Sequence, residues 1–302
     1  MRRVVLAAAI FSFVGLAAFG QIKFIIEILA PGKRPNNVIN RNKQSGINDE
    51  NTNLMKVVLP AGGVEAPIKW EDLGKQLVGN GVINQAKLEN LHRERGEFDE
   101  EAKRLIESTV NDPITVTESS AGVILNLLWA FGLANKNPIL ENGQMADPRY
   151  GGVEKFASTG GWNLARGNAM DHYSKYEFVK LTTEQQALVE KISSNIYRPC
   201  CDNPTDFPDC NHGMAMLGLL ELMAANGVGE DQMYKVALQV NSYWFPGYYP
   251  VIAEYFKTQG TDWDKVDPKE VLSKKYSSAS GYKRIEAKIS PSNNGRGSSC
   301  GT

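Results

Sequence analysis

Residues 67–276 contain several runs in which apolar side chains recur at helical spacing, and capping and stop signals separate these runs. Thr182 with Gln185, or Thr183 with Gln186, forms a capping-box pattern ahead of one apolar run. Asn226 and Gly227 stop another run, as residues that favour helix ends do. No alternating stretch is long enough to require a sheet. The sequence therefore predicts a mainly α protein, a helical bundle, over this region.

The same signals place the other helices. The predicted helical segments are Trp70–Val78, Glu97–Val110, the apolar run 118–134 capped by Thr117, residues 230–245, a segment that starts at Pro250, and one opened by Asp267 and Pro268.

Composition limits the classes of function. The chain has 302 residues, of which 42% are hydrophobic, so it can bury a sizeable core. Its formal net charge of −1 shows no basic excess, so we expect no nucleic-acid partner. The sequence also lacks a nucleotide-binding GxxxxGK[ST] loop, HExxH, CxxCH and GxSxG.

The N-terminus has the form of a targeting segment. Arg2 and Arg3 precede the apolar run Val4–Gly20, and small residues fit a cleavage site before Gln21. The apolar character continues almost to Pro31, and about 20 residues are enough to span a bilayer. We therefore predict a signal anchor, with a cleaved secretory signal and a buried N-terminal helix as alternatives.

This interpretation gives the chain four parts. Residues 1–30 are the signal anchor or signal peptide, and residues 31–66, rich in Asn, Lys and Gly, are a flexible tether. Residues 67–276 form the helical domain, and residues 277–302 are a flexible tail. The paired arginines favour a body outside the cytoplasm, either periplasmic or at the cell surface. A cleaved signal would make the protein secreted.

One segment of the predicted domain, Asn135–Tyr176, lacks the apolar periodicity of a helix. It is glycine-rich and carries aromatic residues throughout. Long loops inside a domain are uncommon and often functional. The alternative is a surface loop held in place by Tyr150, Phe156 and Trp162.

The main candidate site lies in "RPCCDNPTDFPDCNH", which holds Cys200, Cys201, Cys210 and His212. The intervening prolines favour a turn that returns Cys210 towards the adjacent pair. Three thiolates and an imidazole suit a soft metal ion, copper or zinc first and an iron–sulfur centre as a third option. The spacing matches no standard zinc motif.

Two alternatives use the same cysteines. A thiol–disulfide oxidoreductase would use Cys210 or Cys200 as its nucleophile, so enzymatic activity stays open. A structural protein would instead hold the turn with a disulfide. In every case we expect Asp209 or Asn211 to cap the following helix, and Arg198 to assist Cys200.

Four other residues complete the candidate set. Met216, one helical turn after His212, and His172, in the long loop, are candidate additional ligands. We expect His92 to be solvated. Glu221 should face solvent, unless it is the buried carboxylate partner of a metal-bound histidine.

The stretch Tyr197–Trp244 resembles two families of extracytoplasmic modules. Its cysteine motif leading into two amphipathic helices is similar to the cytochrome c maturation thiol reductases. The "RPCCDN" segment partly resembles small lipoproteins with a Pro-Cys-x-Cys-x-Cys motif. This chain has an adjacent Cys pair where those families have CxxC or alternating cysteines. The resemblance implies a helical, extracytoplasmic module that handles metals or redox chemistry, and no individual catalytic role.

We expect the full chain to stay with membranes during alkaline carbonate extraction, because the apolar segment continues past the cleavage site. Deleting Val4–Ile28 should release the protein into the soluble fraction. A mature chain beginning at Gln21, or release of the full-length chain, would contradict the anchor prediction.

Overall fold

The structure of the protein is a computed structural model, and it describes residues 53–289. The prediction of a mainly α protein is confirmed, with a single pair of short strands in this range. The strands are β1 (Val64–Ala66) and β2 (Ile114–Val116). The helices are α1 (Leu73–Gly79), α2 (Gln85–Glu94), α3 (Glu100–Glu107), α4 (Ala121–Ala134), α5 (Pro138–Asn142), α6 (Thr183–Ser193), α7 (Asn211–Ala225), α8 (Glu230–Trp244), α9 (Tyr249–Thr258), α10 (Pro268–Val271), α11 (Lys274–Ser277) and α12 (Ala279–Ile289).

Local capping signals account for several helix ends. Thr182 and Gln185 form the predicted capping box at the start of α6. Helix α4 begins three residues after the start of the predicted run, and Ser120 occupies its N-cap position without a side-chain capping hydrogen bond. The Thr117 hydroxyl accepts a hydrogen bond of 3.2 Å from the Ser120 backbone N–H, so the predicted cap holds the turn that precedes the helix. The serine hydroxyl satisfies the Thr117 backbone N–H, so the chain turns before the helix begins.

Helices α4 and α7 are the most apolar helices of the described region, and they pack directly on each other. Their backbones meet at Gly132 and Gly218. A Cβ atom at position 218 would lie 2.6 Å from the carbonyl oxygen of Leu128, so only glycine fits at this distance. The two helices run in the same direction, because Gly132 meets Gly218 while Asn135, farther along α4, hydrogen-bonds Glu221, farther along α7.

The folded region extends beyond both predicted boundaries. Strand β1 pairs antiparallel with β2 and has buried ends, although it falls in the predicted tether. Helix α12 falls in the predicted tail, and it buries Tyr282 and Ile285 against the domain. Apolar burial orders these two ends, which composition alone had assigned to flexible segments.

The glycine-rich segment 135–176 contains α5 and four short 3-10 turns. Trp162 is buried, and its indole N–H donates to the carbonyl of Val82 at 2.8 Å. Phe156 is half-buried, whereas Tyr150 is 47% exposed. Of the three predicted anchoring residues, the tryptophan therefore makes the deepest contact.

The prediction that Glu221 faces solvent was wrong. Its side chain is fully buried, and its Oε2 accepts a hydrogen bond of 2.6 Å from Asn135 Nδ2. Burial raises the pKa of this carboxyl to about 8, although Asn135 and Asn137 act in the opposite direction. The two asparagines end α4 and lead into α5, so this polar group joins α4, α5 and α7.

Several predictions concern residues outside the described range. These are the signal segment, most of the tether, and residues 290–302 of the tail. Within residues 53–289, no helix is both long and apolar enough to cross a bilayer.

The close backbone contact between α4 and α7 can be tested by adding a methyl group at Gly218. We expect Gly218→Ala to lower the free energy of unfolding by about 1–3 kcal/mol, because the added methyl group forces the helix backbones apart. Gly79→Ala is the matched control, since a Cβ atom there meets nothing within 4 Å. It should be neutral or stabilising through helix propensity. Urea unfolding followed by circular dichroism measures both changes, and equal effects would disprove the close contact.

Candidate metal centre

The turn between α6 and α7 brings the three predicted cysteines together. The Sγ atoms of Cys200, Cys201 and Cys210 all lie within 4.8 Å of one another, and each side chain is partly buried. The sulfur atoms of Cys200 and Cys210 lie 3.6 Å apart. All three cysteines are free thiols, so the predicted return of the chain is realised without a covalent bond.

Cys210 itself is the N-cap of α7. Its Sγ accepts a hydrogen bond of 3.4 Å from the backbone N–H of Gly213. The expectation that Asp209 or Asn211 caps this helix was therefore wrong, because Asp209 pairs with Arg198 and Asn211 is the first helical residue. The sulfur thus receives the partial positive charge of the helix N-terminus directly.

Arg198 is the buried charge around which the turn is built. It is only 1% exposed, and its Nε donates to Cys210 Sγ at 3.0 Å. Its Nη2 forms an ion pair of 2.7 Å with Asp209, and the guanidinium also donates to the carbonyls of Asn203 and Phe207. Arg198 was expected to assist Cys200, but its nearest sulfur partner is Cys210.

Gly213 provides the space that this arginine needs. A Cβ atom at position 213 would lie 2.5 Å from Nη2 and 2.6 Å from Cζ of Arg198. The guanidinium therefore packs against bare backbone in the first turn of α7. Any other residue at this position would displace the arginine from the cysteines.

The three thiols differ in acidity. Hydrogen bonds from Cys200 and Cys201 hold the pKa of the Cys210 thiol well below its usual range, and Arg198 and His212 add to this effect against the opposing effect of burial. Hydrogen bonds to Cys201 and Cys210, together with burial, raise the pKa of Cys200. The pKa of Cys201 is raised to about 12. A hydrogen bond from Cys200 lowers this pKa, but the opposing effects of Cys210 and of burial are larger together.

The directions of these pKa shifts make Cys210 the thiol of the cluster that most readily becomes a thiolate. The Cys210 sulfur lies between Arg198 and the N-terminus of α7, both of which stabilise its charged form.

Distant parts of the chain fix the outside of the turn. The N–H of Ser158, in the glycine-rich segment, donates to the carbonyl of Asp209. The N–H of Ala279 donates to the carbonyl of Cys201 at 2.9 Å, and that of Ser280 donates to the Asp202 carboxylate at 2.8 Å. The start of α12 is thus attached to the cysteine pair.

His212 lies beside the cluster but outside the group of sulfur atoms. Its Nδ1 is buried without a hydrogen-bond partner, and its ring packs against Phe245 at 4.4 Å between centroids. Met216 is buried in the apolar core. The unpartnered nitrogen leaves His212 available as a ligand, and its role there stays a prediction.

His172 has other partners within the described residues. Its Nδ1 contacts the Tyr176 hydroxyl at 3.0 Å, and its Nε2 contacts the carbonyl of Arg166 at 3.2 Å. With both ring nitrogens engaged, it would have to give up a hydrogen bond to bind a metal ion. The glycine-rich segment does reach the cysteine turn, but through Phe156 and Ser158.

The prediction that His92 is solvated was wrong. It is fully buried, with Nδ1 at 2.7 Å from Glu97 and Nε2 at 3.0 Å from Asn126. The charged sequence around it suggested a solvated position. The decisive partner, Asn126, lies 34 residues away on α4, so the local sequence carries no signal for this contact.

No protein-family model, curated protein or solved structure matches this chain. The resemblance stated for Tyr197–Trp244 therefore rests on its own residues.

Removing the buried arginine tests the electrostatics of the site. We expect Arg198→Gln to lower the free energy of unfolding by about 3–5 kcal/mol, because it leaves the partly buried Asp209 carboxylate and Cys210 sulfur without their cation. The control is Arg149→Gln, which removes an ion pair of similar length, 2.6 Å to Asp147, from the surface. We expect little change there. Chemical denaturation of both variants decides the point, and equal stabilities would show that Arg198 does not support the turn.

Proposed function

We propose that the protein binds one soft metal ion through Cys200, Cys201 and Cys210, with copper or zinc as the first candidates. In this proposal it is an extracytoplasmic, membrane-anchored protein of metal handling or electron transfer. The observation that carries the proposal is the convergence of three free cysteine sulfurs on one point, beside a buried arginine and a helix N-terminus.

The sulfur geometry suits a metal ion. Zinc–thiolate bonds of about 2.3 Å in a tetrahedral site place sulfurs roughly 3.8 Å apart. The Cys200–Cys210 separation is 3.6 Å, and the three sulfurs lie within 4.8 Å of one another, so modest side-chain rotation would bring them to a common ion. Three sulfur ligands leave a fourth position for an external ligand or for His212.

The charges around the cluster favour metal binding as well. A metal ion is bound by thiolates, so binding to this cluster would displace the protons of Cys200 and Cys201. The pKa of Cys210 is already lowered, and Arg198 is one of the groups that stabilise its charged form. Affinity should therefore fall as pH drops, with release of about two protons per ion near neutral pH.

Thiol–disulfide exchange is the second candidate, and the 3.6 Å contact between Cys200 and a low-pKa Cys210 favours it. The Cys210 thiolate would attack a substrate disulfide and release one substrate thiolate. Cys200, after losing its proton, would then attack the Cys210 sulfur, forming the Cys200–Cys210 disulfide and releasing the second substrate thiolate.

Cys201 separates the two candidates. The exchange cycle uses only two sulfurs, so Cys201→Ser should keep most of its activity. A three-sulfur metal site loses a ligand in the same variant. The structure brings the third sulfur into the cluster, and a metal site is the function that uses it.

The decisive experiment titrates the reduced full-length protein with copper(I) and with zinc, following thiolate-to-metal absorbance and the metal content after gel filtration. We expect one ion per chain, and weaker binding in every cluster variant. Cys210→Ser should show the largest loss, because it removes the ligand at the junction of turn and helix. A serine is a good N-cap, so this variant should keep α7.

Cys300→Ser, which changes a cysteine outside the described residues, is the matched control and should bind as the wild type does. Equal, weak binding by the wild type and Cys210→Ser would reject the metal site. Retained disulfide reduction in Cys201→Ser, without metal binding by the wild type, would support thiol exchange instead.

A further inference from the structure

A cleft of about 410 Å³ opens next to the cysteine cluster, between the N-terminal ends of α4 and α7 and the C-terminal end of α8. Its volume lies in the usual range of small-molecule sites, roughly 300–1,000 Å³. His212 is at the boundary, because it borders both the cleft and the cluster. The lining of the cleft includes none of the three cysteines and does not include Arg198.

A buried histidine holds one carboxylate in the wall of this cleft. His92 is fully buried, and burial lowers its pKa, although Glu97 acts in the opposite direction. The lowered pKa favours the neutral ring. A carboxylate can only accept, so the His92 Nδ1–H donates to Glu97 Oε2, and Nε2 accepts from the Asn126 amide. Both ring nitrogens are satisfied, and the orientation of Glu97 is fixed.

Helix α4 makes room for that carboxylate. A Cβ atom at position 122 would lie 2.5 Å from Glu97 Oε2 and 3.1 Å from Oε1, so Gly122 lets the group rest against the first turn of the helix. Glu97 is 27% exposed and borders the cleft. The position is therefore built for a carboxylate that is held rigidly and still reaches solvent.

The cleft presents further polar atoms with free hydrogen-bonding capacity. Glu97 Oε1, Asn126 Oδ1 and Asn211 Nδ2 make no hydrogen bond to any described residue. Three polar groups of the lining, on a rigidly held glutamate and two asparagines that are each less than 9% exposed, are thus left without a protein partner. Polar groups of largely buried residues are usually satisfied, so this set points to a ligand with hydroxyl groups.

We propose that this cleft binds a neutral carbohydrate, a mono- or disaccharide unit, with Glu97 and Asn126 accepting hydrogen bonds from its hydroxyl groups. A hydroxyl both donates and accepts, so it can match a carboxylate, an amide oxygen and an amide N–H placed close together. Trp129 and Trp244 also line the cleft, so its wall includes some apolar surface for the C–H groups of a sugar ring. The inference does not depend on the metal site.

The charges and rings of the cleft disfavour other classes of ligand. Arg95 lies alongside Glu97 and Glu118, so the lining carries no positive excess to attract an anion. Trp129 and Trp244 are only 6% and 8% exposed. They offer too little ring surface to enclose an ammonium ion in the way an aromatic cage does.

The test titrates the full-length protein with cellobiose, with di-N-acetylchitobiose and with choline, by calorimetry and tryptophan fluorescence. We expect saturable binding of at least one disaccharide. Glu97→Gln should weaken it about tenfold, because the ligand hydroxyl loses a charged acceptor. The variant keeps the fold, since the glutamine carbonyl can still accept from His92.

Glu101→Gln is the control, because it changes an exposed glutamate on α3 outside the cleft, and it should bind as the wild type does. Binding of neither disaccharide, or binding of choline alone, would overturn the proposal. Equal affinities of Glu97→Gln and the wild type would overturn it too. A separate titration measures metal binding by Glu97→Gln. Metal binding equal to that of the wild type would show that the two sites are independent.

Discussion

The direct backbone contact between α4 and α7 is the constraint on which the rest of this structure depends. Gly132 and Gly218 let the two most apolar helices of residues 53–289 meet without intervening side chains. Because the helices run in the same direction, their N-terminal ends lie on the same side of the domain. Asn126 and His212 consequently border one cleft. The cysteine turn precedes α7 directly, so the same contact also positions the cluster.

The buried arginine shows how the site resolves a conflict between packing and charge. A guanidinium in the core is costly unless each donor finds a partner. Arg198 finds a sulfur, a carboxylate and two carbonyls, all within the turn that joins α6 to α7. The turn thereby folds around the arginine, and the Cys210 sulfur is one of the partners that make this favourable. Structural stability and thiol acidity therefore arise from one set of contacts.

Local signals in the sequence predicted what local interactions decide. The capping box at Thr182, the stop at Asn226 and the proline-rich turn all act over a few residues, and the structure realises each. His92 and Glu221 were misjudged because their burial depends on partners dozens of residues away. The boundaries of the domain were misjudged for a related reason, since β1 and α12 are ordered by contacts with the core.

The sequence by itself determined the mainly helical class and the gathering of three cysteines near one helix start, because spacing and turn chemistry suffice for both. Only the tertiary structure decided which cysteine caps α7, where Arg198 goes, and that Glu97, Asn126 and His212 share a cleft. Those outcomes depend on close approaches at Gly122, Gly213 and Gly218, where a missing side chain admits a neighbour from elsewhere in the chain. A glycine in a sequence does not reveal which distant group will occupy the space that it leaves.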